Sequence, residues 1–551
     1  MAAEQSGLRW RSTTPVLMRN AAGGDSSRAV FLSASAILTL VLIAVIIGLG
    51  LLAVAFGQSN SWDLRNYHLY DGWAFWTGRG QRDFAAAQMQ TYFNPLLATG
   101  TYLLFMHVSP WLSTFVLGVV QATNVLPLYL LARRFLPTPR TTGVDWMPLV
   151  VAMAGAVGAT QLGELGGSIG DNLVSIPVLW AFALAFGATP LALPRAAGSA
   201  VLIGVAAGIK LTAAPFALGL VIAMPFLGRD SAARLRLLLV AGTAALAGFV
   251  ATDGFWMLRM YQQFGNPLFP QFSDFFAGAY APSVPMADHR SLPRNLLQWL
   301  FYPLIWLPSP RLVSNAWFFD LRVPLAFLAA PLIVWRSRNQ AERRPVLVLV
   351  VALTVAYLAW LPLFGVYRYL APIEMLAPLL IVVALADPSQ PRTGIAAKLL
   401  LTATVVLIRP PGWGHAHPYG ESFLETTLPA FADLDRATIV FAEDEPLSFL
   451  ALEFPPGATF VRIAGNLLGP PFPAYAMDRD ASRRLAAANA PLYALLANPE
   501  SELVRAAMAR QGLLFGGPCE PIRSNLIRGN HRAELCPLRR DPSRVNLAQS
   551  P

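Results

Sequence analysis

Two adjoining stretches decide the fold of this chain: VFLSASAILTLVLIAVIIGLGLLAVAF, residues 30–56, and SWDLRNYHLYDGWAFWTGRGQRDF, residues 61–84. The first exceeds the roughly twenty apolar residues that a helix needs to cross a bilayer. It is longer than the apolar core of a signal peptide, and no small-residue cleavage site clearly follows, so it predicts a retained first membrane helix. The second carries acids, arginines, an amide and aromatic rings, which a plain tether between helices does not need. It is therefore a candidate functional loop.

The composition of the whole chain indicates a polytopic membrane protein. Of its 551 residues, 55% are hydrophobic and only 13% are charged, which is too apolar for a soluble protein of this size. The formal net charge of +10 has a topological explanation. Arginines precede the first helix and cluster in residues 133–134, 229–236 and 336–344, all cytoplasmic if the spans alternate from a cytoplasmic tail, residues 1–29. Nucleic-acid binding is therefore not expected.

Apolar runs along the chain predict about eleven membrane helices. The odd number places everything after Arg409 outside the cytoplasm and leaves two long outer loops, residues 57–110 and 253–321. Within these loops, residues 95–107 and 295–307 are apolar but too short to span, and we expect re-entrant or interfacial helices there. The predicted spans are residues 30–56, 111–133, 147–161, 172–187, 196–209, 211–227, 237–252, 322–335, 345–364, 367–386 and 395–409.

The composition changes at about Pro410, where a linker rich in proline, glycine and histidine begins. Strand-like patterns at residues 437–442 and 458–464 and a helical pattern at residues 482–497 follow it. They predict a small extracytoplasmic α/β domain over residues 411–551. The fold class is thus an all-α polytopic membrane domain, residues 30–410, with a C-terminal α/β domain.

The two cysteines of the chain, Cys519 and Cys536, both lie in this predicted domain. In an oxidising periplasm they would pair and close a loop of 17 residues. Two unpaired thiols are the alternative, because sequence alone does not show that the geometry permits a bridge. His415 and His417 in the linker are a weak metal motif, and a polar connector is the simpler interpretation.

Ionisable side chains concentrate in the first outer loop. On a helix Asp63 and Asp71 share one face with Tyr67 and Tyr70, because spacings of four, seven and eight return to the same side. A carboxylate there suits proton transfer from an acceptor hydroxyl, or a divalent metal on a phosphate. Further candidates for substrate contacts in this loop are Arg65, Asn66, His68, Gln90, Tyr92 and Asn94.

Charged and amide residues also stand at the outer ends of later helices. Lys210 in the tight GIKLT hairpin opposes the positive-inside bias, which favours a functional role, while a snorkelling side chain is the alternative. For Arg368 and Glu374 the alternative is an internal ion pair, which their spacing of six disfavours. Cations at the outer boundary suit the phosphate of a lipid carrier whose tail lies in the membrane. The candidate substrate residues in these positions are Asp171, Asn172, Lys210, Arg259, Arg368 and Glu374.

Several strings in this chain resemble the GT-C superfamily of membrane glycosyltransferases, and in particular bacterial proteins grouped with glycosyltransferase families 39 and 87. The resemblance covers roughly residues 30–410 and is most specific in the first outer loop. The strings are WDLRNYHLYDGWAFWTGR, QTYFNPLL, GIKLT, FGNPLFP and YRYLAPIE.

The resemblance implies an inverting transfer of a hexosyl or pentosyl group from a polyprenyl-phosphate donor to a glycan, lipid or protein acceptor, at the outer face of a bacterial inner membrane. Asp63 matches the early-loop catalytic acid of the superfamily by position. The usual tandem acidic pair is absent, because Leu64 follows Asp63. The choice between Asp63 and Asp71 as base therefore stays open, as does a requirement for Mg²⁺ or Mn²⁺.

Two other functional classes compete with a glycosyltransferase. A transporter or flippase of lipid-linked saccharides would favour charges within the spans and symmetry between two halves, and neither is evident. An inactive scaffold that recruits partners through the C-terminal domain has no need of the acidic loop. The absence of Walker, GxGxxG, CxxC and HExxH motifs argues against an ATP-driven pump, a dinucleotide enzyme and a zinc hydrolase.

Overall fold

The computed structural model describes residues 34–136, 145–281, 289–385 and 391–542, so the predicted tail, residues 1–29, lies outside them. Helices dominate this part of the chain. In order they are α1 (Ala34–Phe56), α2 (Leu69–Trp76), α3 (Leu96–His107), α4 (Pro110–Ala122), α5 (Val125–Phe135), α6 (Met147–Ala156), α7 (Ala159–Glu164), α8 (Asp171–Phe186), α9 (Leu193–Ile209), α10 (Ala214–Ala223), α11 (Ser231–Phe264), α12 (Ser273–Phe276), α13 (Leu296–Trp306), α14 (Arg322–Ser337), α15 (Arg344–Leu363), α16 (Ala371–Leu385), α17 (Pro391–Val406), α18 (Ala476–Ala487) and α19 (Glu502–Arg510).

Each predicted span coincides with one of these helices or with a pair of them. By length and composition, five helical segments can cross a membrane: Ser35–Phe56, Pro110–Phe135, Ser231–Phe264, Arg344–Leu363 and Tyr367–Leu385. The shorter apolar helices α6, α8, α9, α10 and α17 match five further predicted spans, and α14 matches the remaining one. Helices α3 and α13 fall on the two apolar segments predicted inside the outer loops. The prediction of a multi-pass helical membrane protein is confirmed.

Helix α11 extends well beyond the span predicted at residues 237–252. It has 34 residues, begins where the Asp230 side chain accepts a hydrogen bond from the amide of Ala233 at 2.8 Å, and ends at Gly265 with φ of 71°. The buried side chains of Trp256 and Met260 pack against the C-terminal part of the chain and keep the extension helical. The first twelve residues of the predicted second outer loop, residues 253–264, are thus helical.

Two predicted spans are broken helices, at residues 123–124 and 157–158. At the second break, Arg322 donates to the carbonyl of Ala154 from Nε at 3.1 Å and from Nη2 at 2.8 Å, and to that of Val157 at 3.3 Å. These carbonyls end α6. The Nη1 atom of Arg322 also pairs with Asp320 at 2.6 Å. Asp320 in turn accepts a hydrogen bond at 2.9 Å from the amide of Ala159, at the start of α7.

Glu374 accepts hydrogen bonds from the next residue of the same break, Thr160. It accepts from the amide of Thr160 at 3.1 Å and from its hydroxyl at 3.0 Å. A Cβ on Gly158 would lie 1.7 Å from Oε1 of Glu374, so only glycine permits this approach. The side chains of Arg322, Asp320 and Glu374 are at most 1% exposed, and together they supply the partners that the broken helix leaves unpaired. We call these three residues the break clamp.

The C-terminal part of the chain is an α/β unit around a six-stranded sheet. Strand β4 is parallel to β5 and β6, while β10 is antiparallel to β6 and β7, in the order β5-β4-β6-β10-β7 with β8 also on β10. In chain order the strands are β1 (Gln58–Ser59), β2 (His415–Ala416), β3 (Thr426–Thr427), β4 (Thr438–Ala442), β5 (Thr459–Ala464), β6 (Leu492–Leu496), β7 (Leu513–Phe515), β8 (Glu520–Pro521), β9 (Arg523–Ser524) and β10 (Glu534–Arg540).

Two of the three patterns found in this region are confirmed and the third is half wrong. Strands β4 and β5 form where the sequence predicts them, but the helix predicted over residues 482–497 ends at Ala487. Its second half is β6, which is buried along its whole length between β4 and β10. Periodicity alone does not distinguish a buried strand from a buried helix in so short an apolar run. Pro491, which precedes the run, disfavours a helix that continues through it.

Cys519 and Cys536 form a disulfide, with their Cα atoms 4.1 Å apart. The predicted bridge is therefore present in the structure, and a thiol pair is not.

We expect the C-terminal domain to lie outside the cytoplasm, because a predicted odd number of spans separates it from a cytoplasmic start. A reporter that matures only in the cytoplasm should be silent when fused to the C-terminus of the full chain and active on its N-terminus. Mass spectrometry of the unreduced protein should find the peptides of Cys519 and Cys536 joined. A C-terminal reporter active in the cytoplasm would refute the topology.

Candidate functional site

Four charged side chains from four separate segments meet in one chain of ion pairs. Asp63 Oδ2 lies 2.7 Å from Arg368 Nη1, and Arg368 Nε lies 3.6 Å from Asp171 Oδ2. Asp171 Oδ1 in turn lies 2.6 Å from Lys210 Nζ, which also donates to the carbonyl of Ile169 at 3.1 Å. We call Asp63, Arg368, Asp171 and Lys210 the ion-pair chain. Two acids and two bases alternate in it, so their formal charges cancel.

Each member of the ion-pair chain stands at the end of a helix or in a break between two. Asp63 precedes a π-helical turn, Leu64–His68, that continues into α2, and Arg368 lies in the 3₁₀ turn Tyr367–Leu370 before α16. Asp171 is the first residue of α8, and Lys210 has extended backbone between α9 and the next turn. Helix ends lie where the outer boundary was predicted, so ordinary helix termination brings these residues to one level.

Two environments set the protonation of the groups near Asp63. Burial would raise the pKa of Asp63, but the positive charges of Arg368 and Lys210 outweigh it, so this pKa lies below its ordinary value. Burial lowers the pKa of His68 to about 3, and its Nδ1 lies 2.9 Å from the hydroxyl of Ser168. At neutral pH, Asp63 is therefore an anion and His68 an uncharged hydrogen-bonding group.

The ion-pair chain borders a cavity of about 1050 Å³, which we call the main cavity. Asp63, Lys210 and Arg368 line one side of it. An apolar side includes Phe272 and Leu363, which also expose 46% and 43% of their surface. Apolar groups this exposed at the level of membrane helices suit contact with lipid. The cavity thus joins charged groups to an apolar wall.

The C-terminal sheet is fixed to the first outer loop and forms part of the cavity wall. Phe84 pairs with the edge strand β5 as a parallel bridge to Val461. The fully buried Arg462 donates to the carbonyl of Ala86 from Nε at 3.0 Å and from Nη2 at 2.8 Å. Asn466, which lines the main cavity, donates to Gln90 at 3.2 Å. The membrane helices alone therefore do not complete this cavity.

Asp71 differs from Asp63 in having no charged partner. It is 6% exposed, lines the main cavity, and its Oδ1 has no hydrogen-bond partner among the described residues. Burial raises its pKa well above the ordinary value. Burial thus favours the protonated form of Asp71, whereas the cations beside Asp63 favour its carboxylate.

Eight of the residues that the sequence singles out line the main cavity, and Asp171 joins them through its ion pairs. Asn94 among the eight is also a structural tie, because its amide donates to the carbonyls of Gly208 and Thr252 at 2.9 Å each. The eight are Asp63, Asp71, His68, Gln90, Tyr92, Asn94, Lys210 and Arg368.

Five predicted substrate residues do not line this cavity. Asn66 donates to the side chain of Gln90 at 3.2 Å and to the carbonyl of Ala87 at 3.4 Å, and Asn172 donates to the carbonyl of Gln161 at 3.0 Å, so both amides are used within the protein. Arg65 is buried away from the cavity, and Glu374 belongs to the break clamp. Arg259 faces a second, smaller cavity.

Sequence reasoning missed the contributions of the C-terminal domain to the main cavity. Asp444, Asn466 and Tyr475 line it from more than 350 positions away in the chain from Asp63. Asn466 follows Gly465, whose φ of 155° marks a sharp turn after β5. That turn is the one local signal, because nothing in the sequence shows which surface it faces.

The residues present do not fit a divalent metal. Asp63 and Asp171 direct their carboxylates at nitrogen atoms of Arg368 and Lys210, 2.6 to 3.6 Å away. In the described part of the chain, one group of three ligand types lies close together, Cys519, Glu534 and Cys536, and its cysteines are bonded to each other. Lys210 and Arg368 are the cations of the ion-pair chain, and both face the cavity. His415 and His417 bond to backbone carbonyls, as expected for a connector.

No family model and no curated protein matches the chain significantly. Among solved structures, the chain is similar to the crystal structure of the Archaeoglobus fulgidus oligosaccharyltransferase in its apo form. The similarity covers 85% of this chain and 71% of that chain, with 13% sequence identity and a TM-score of 0.44.

Proposed function

We propose that this chain is a GT-C membrane glycosyltransferase that transfers a sugar from a polyprenyl-phosphate donor to an acceptor hydroxyl at the outer face of a bacterial inner membrane. The observation that carries the proposal is the main cavity, where an ionised carboxylate, two cations and an apolar wall meet. A lipid-linked donor has a part for each of these groups: an apolar tail for the apolar wall, a phosphate for the cations and a sugar for the carboxylate.

The two cations suit the phosphate of the donor. Arg368 has a planar guanidinium that can bind two phosphate oxygens, and Lys210 is a point charge beside it. Both cations lie over the ring of Tyr369: its centre is 5.3 Å from the guanidinium carbon of Arg368 and 5.5 Å from Lys210 Nζ. The apolar wall suits the tail, because burial of each methylene contributes about 0.8 kcal/mol.

Asp63 suits the role of base. It would take the proton of the acceptor hydroxyl while that oxygen bonds to the anomeric carbon and the bond from this carbon to the phosphate oxygen breaks. The bonding electrons pass to the phosphate, where Lys210 and Arg368 stabilise the charge. Attack from the face opposite the phosphate inverts the anomeric carbon. Burial raises the pKa of Asp71 and so favours its protonated form, which makes Asp63 the better candidate for the base.

Donor binding would also activate Asp63. Without donor, Arg368 and Lys210 keep its pKa low, and a carboxylate with a low pKa is a weak base. A bound phosphate neutralises part of this positive charge, so the pKa of Asp63 rises towards the range where proton transfer is efficient. The base therefore gains strength only when a donor is present.

We expect Lys210→Ala to weaken the binding of a polyprenyl-phosphate sugar by about 1.5 to 3 kcal/mol, the scale of a charge-assisted hydrogen bond. The measurement is a titration of the purified chain in nanodiscs. Lys398→Ala is the matched control, because Lys398 is an exposed lysine on α17 that does not line the main cavity. Equal donor affinity of a folded Lys210→Ala protein and of this control would refute the phosphate role.

Release of free polyprenyl phosphate separates a transferase from a flippase. The proposal requires this product in the presence of acceptor, with Asp63 intact. Movement of intact lipid-linked sugar between leaflets without cleavage would favour the transporter instead.

A further inference from the structure

A second cavity of about 430 Å³ adjoins the main cavity. It lies between α2, the loop after it and the outer end of α11, and Gly80, Thr91 and Gln263 contribute to its lining. The two cavities share part of their walls. The shared lining residues are Asp71, Tyr92, Trp256 and Met260.

Asp71 stands at this junction with an unused polar atom. More than nine-tenths of its surface is buried, and Oδ1 has no hydrogen-bond partner in the described ranges. A buried polar atom without a partner is unfavourable in the folded protein, so such atoms point to a ligand that supplies the bond. Because Asp71 lines both cavities, a ligand hydroxyl can approach its carboxyl group from either one.

The second cavity also has an uncompensated positive charge. Arg259 is half-buried and stacks over Trp256, with its guanidinium carbon 5.0 Å from the ring centre, and no hydrogen bond or ion pair joins it to another described residue. The second acid of this cavity, Asp83, is already neutralised by Arg79, at 2.7 and 3.0 Å, and accepts from Tyr70 at 2.8 Å. An anion therefore suits this cavity.

Gly80 leaves room for the guanidinium. A Cβ at this position would lie 1.9 Å from Nη2 of Arg259, so any larger residue displaces that side chain. The backbone of Gly80 has no positive φ of the kind that only glycine adopts readily, so a substitution there acts through space and not through backbone strain.

We propose that the second cavity is a binding site for the acceptor, and that the acceptor is a polyhydroxylated molecule with one anionic group. This inference rests on the proposed function. Arg259 holds the anionic group, the face of Trp256 packs on the carbon skeleton, and Asp71 bonds to the hydroxyl that enters the main cavity. Donor and acceptor then approach the reaction centre from different cavities.

The probes are methyl glucuronide, which has hydroxyls and a carboxylate, and methyl glucoside, which lacks the charge. Binding to the full chain in phosphatidylcholine nanodiscs is measured by saturation-transfer NMR. We expect the glucuronide to bind at least about tenfold more tightly than the glucoside, the range of a single charge-assisted contact. Arg259→Ala and Gly80→Val should remove this preference, while Arg311→Ala, at an exposed arginine outside both cavities, should keep it.

The Arg368→Ala variant separates this inference from the proposed function. It should lose affinity for a polyprenyl phosphate and keep the preference for the glucuronide. No preference in the unmodified chain, or a preference that depends on Arg368 and not on Arg259, would overturn the acceptor site while leaving the donor site intact. If the unmodified chain does not bind polyprenyl phosphate, the proposed function is overturned instead.

A further arm identifies the source of the anionic polyol. Phosphatidylglycerol in the nanodisc supplies the same chemistry as a lipid headgroup. Competition between this lipid and the glucuronide in the unmodified chain, but not in Arg259→Ala, supports the site with a lipid acceptor. Glucuronide binding that phosphatidylglycerol does not reduce supports the site with a water-soluble acceptor.

Discussion

Asp63→Asn is expected to lower turnover by about 100-fold or more, the usual effect of losing a general base. Asparagine keeps the size of the side chain and one acceptor oxygen towards Arg368, which lies 2.7 Å from the carboxylate in the structure. It has no basic site for the proton of the acceptor hydroxyl. Donor affinity should be largely kept, because Lys210 and Arg368 remain. The measurement is single-turnover release of polyprenyl phosphate, with donor binding determined separately.

Asp71→Asn is the matched control for this substitution. Burial favours the protonated form of Asp71, and asparagine is likewise an uncharged side chain that donates a hydrogen bond. We expect less than about a tenfold loss of turnover, since one hydrogen-bond geometry changes and no base is removed. If Asp71→Asn abolishes turnover and Asp63→Asn retains it, the two roles are reversed. If both variants stay active, the acid-loop mechanism is wrong.

The sequence predicted the membrane helices and the residues of the ion-pair chain because both follow from local rules. Lys210 and Arg368 were found as cations on the side of the membrane where cations are rare, and Asp63 as the acid nearest the first span. Their mutual contacts were not predictable, because the residues lie far apart in the chain: Asp63 and Arg368, for example, are 305 positions apart. Only packing of the bundle decides which helix ends become neighbours.

Arg259 and Glu374 lie apart from the ion-pair chain. Both are charged residues near an outer helix end, and so both resembled phosphate or sugar ligands. Arg259 instead faces the second cavity, because α11 continues as a helix past the predicted boundary. Glu374 is turned towards the break between α6 and α7. The local sign of that break is Gly158, since apolar residues flank it and no proline stands there.

The largest effect on stability is expected from Arg322→Met, which should reduce the free energy of unfolding by about 3 to 5 kcal/mol, the cost of breaking a buried ion pair on one side. Arg322 is fully buried, and its guanidinium bonds to Asp320 and to the carbonyls of Ala154 and Val157. Methionine fills similar space but donates nothing. It leaves a buried carboxylate without its cation and two carbonyls without donors, in surroundings where water does not replace them.

The same substitution should also weaken the site, because α7 leads through a short turn to Ile169 and Asp171, the partners of Lys210. Unfolding in mixed micelles with increasing dodecyl sulfate measures the stability. Arg338→Met is the matched control at the other end of α14, where the arginine is exposed, and it should change the free energy by less than about 0.5 kcal/mol. Arg322→Lys keeps the charge but not the fork of donors, and should fall between the two. Unfolding of Arg322→Met at the same dodecyl sulfate concentration as Arg338→Met would show that the break between α6 and α7 does not depend on the break clamp.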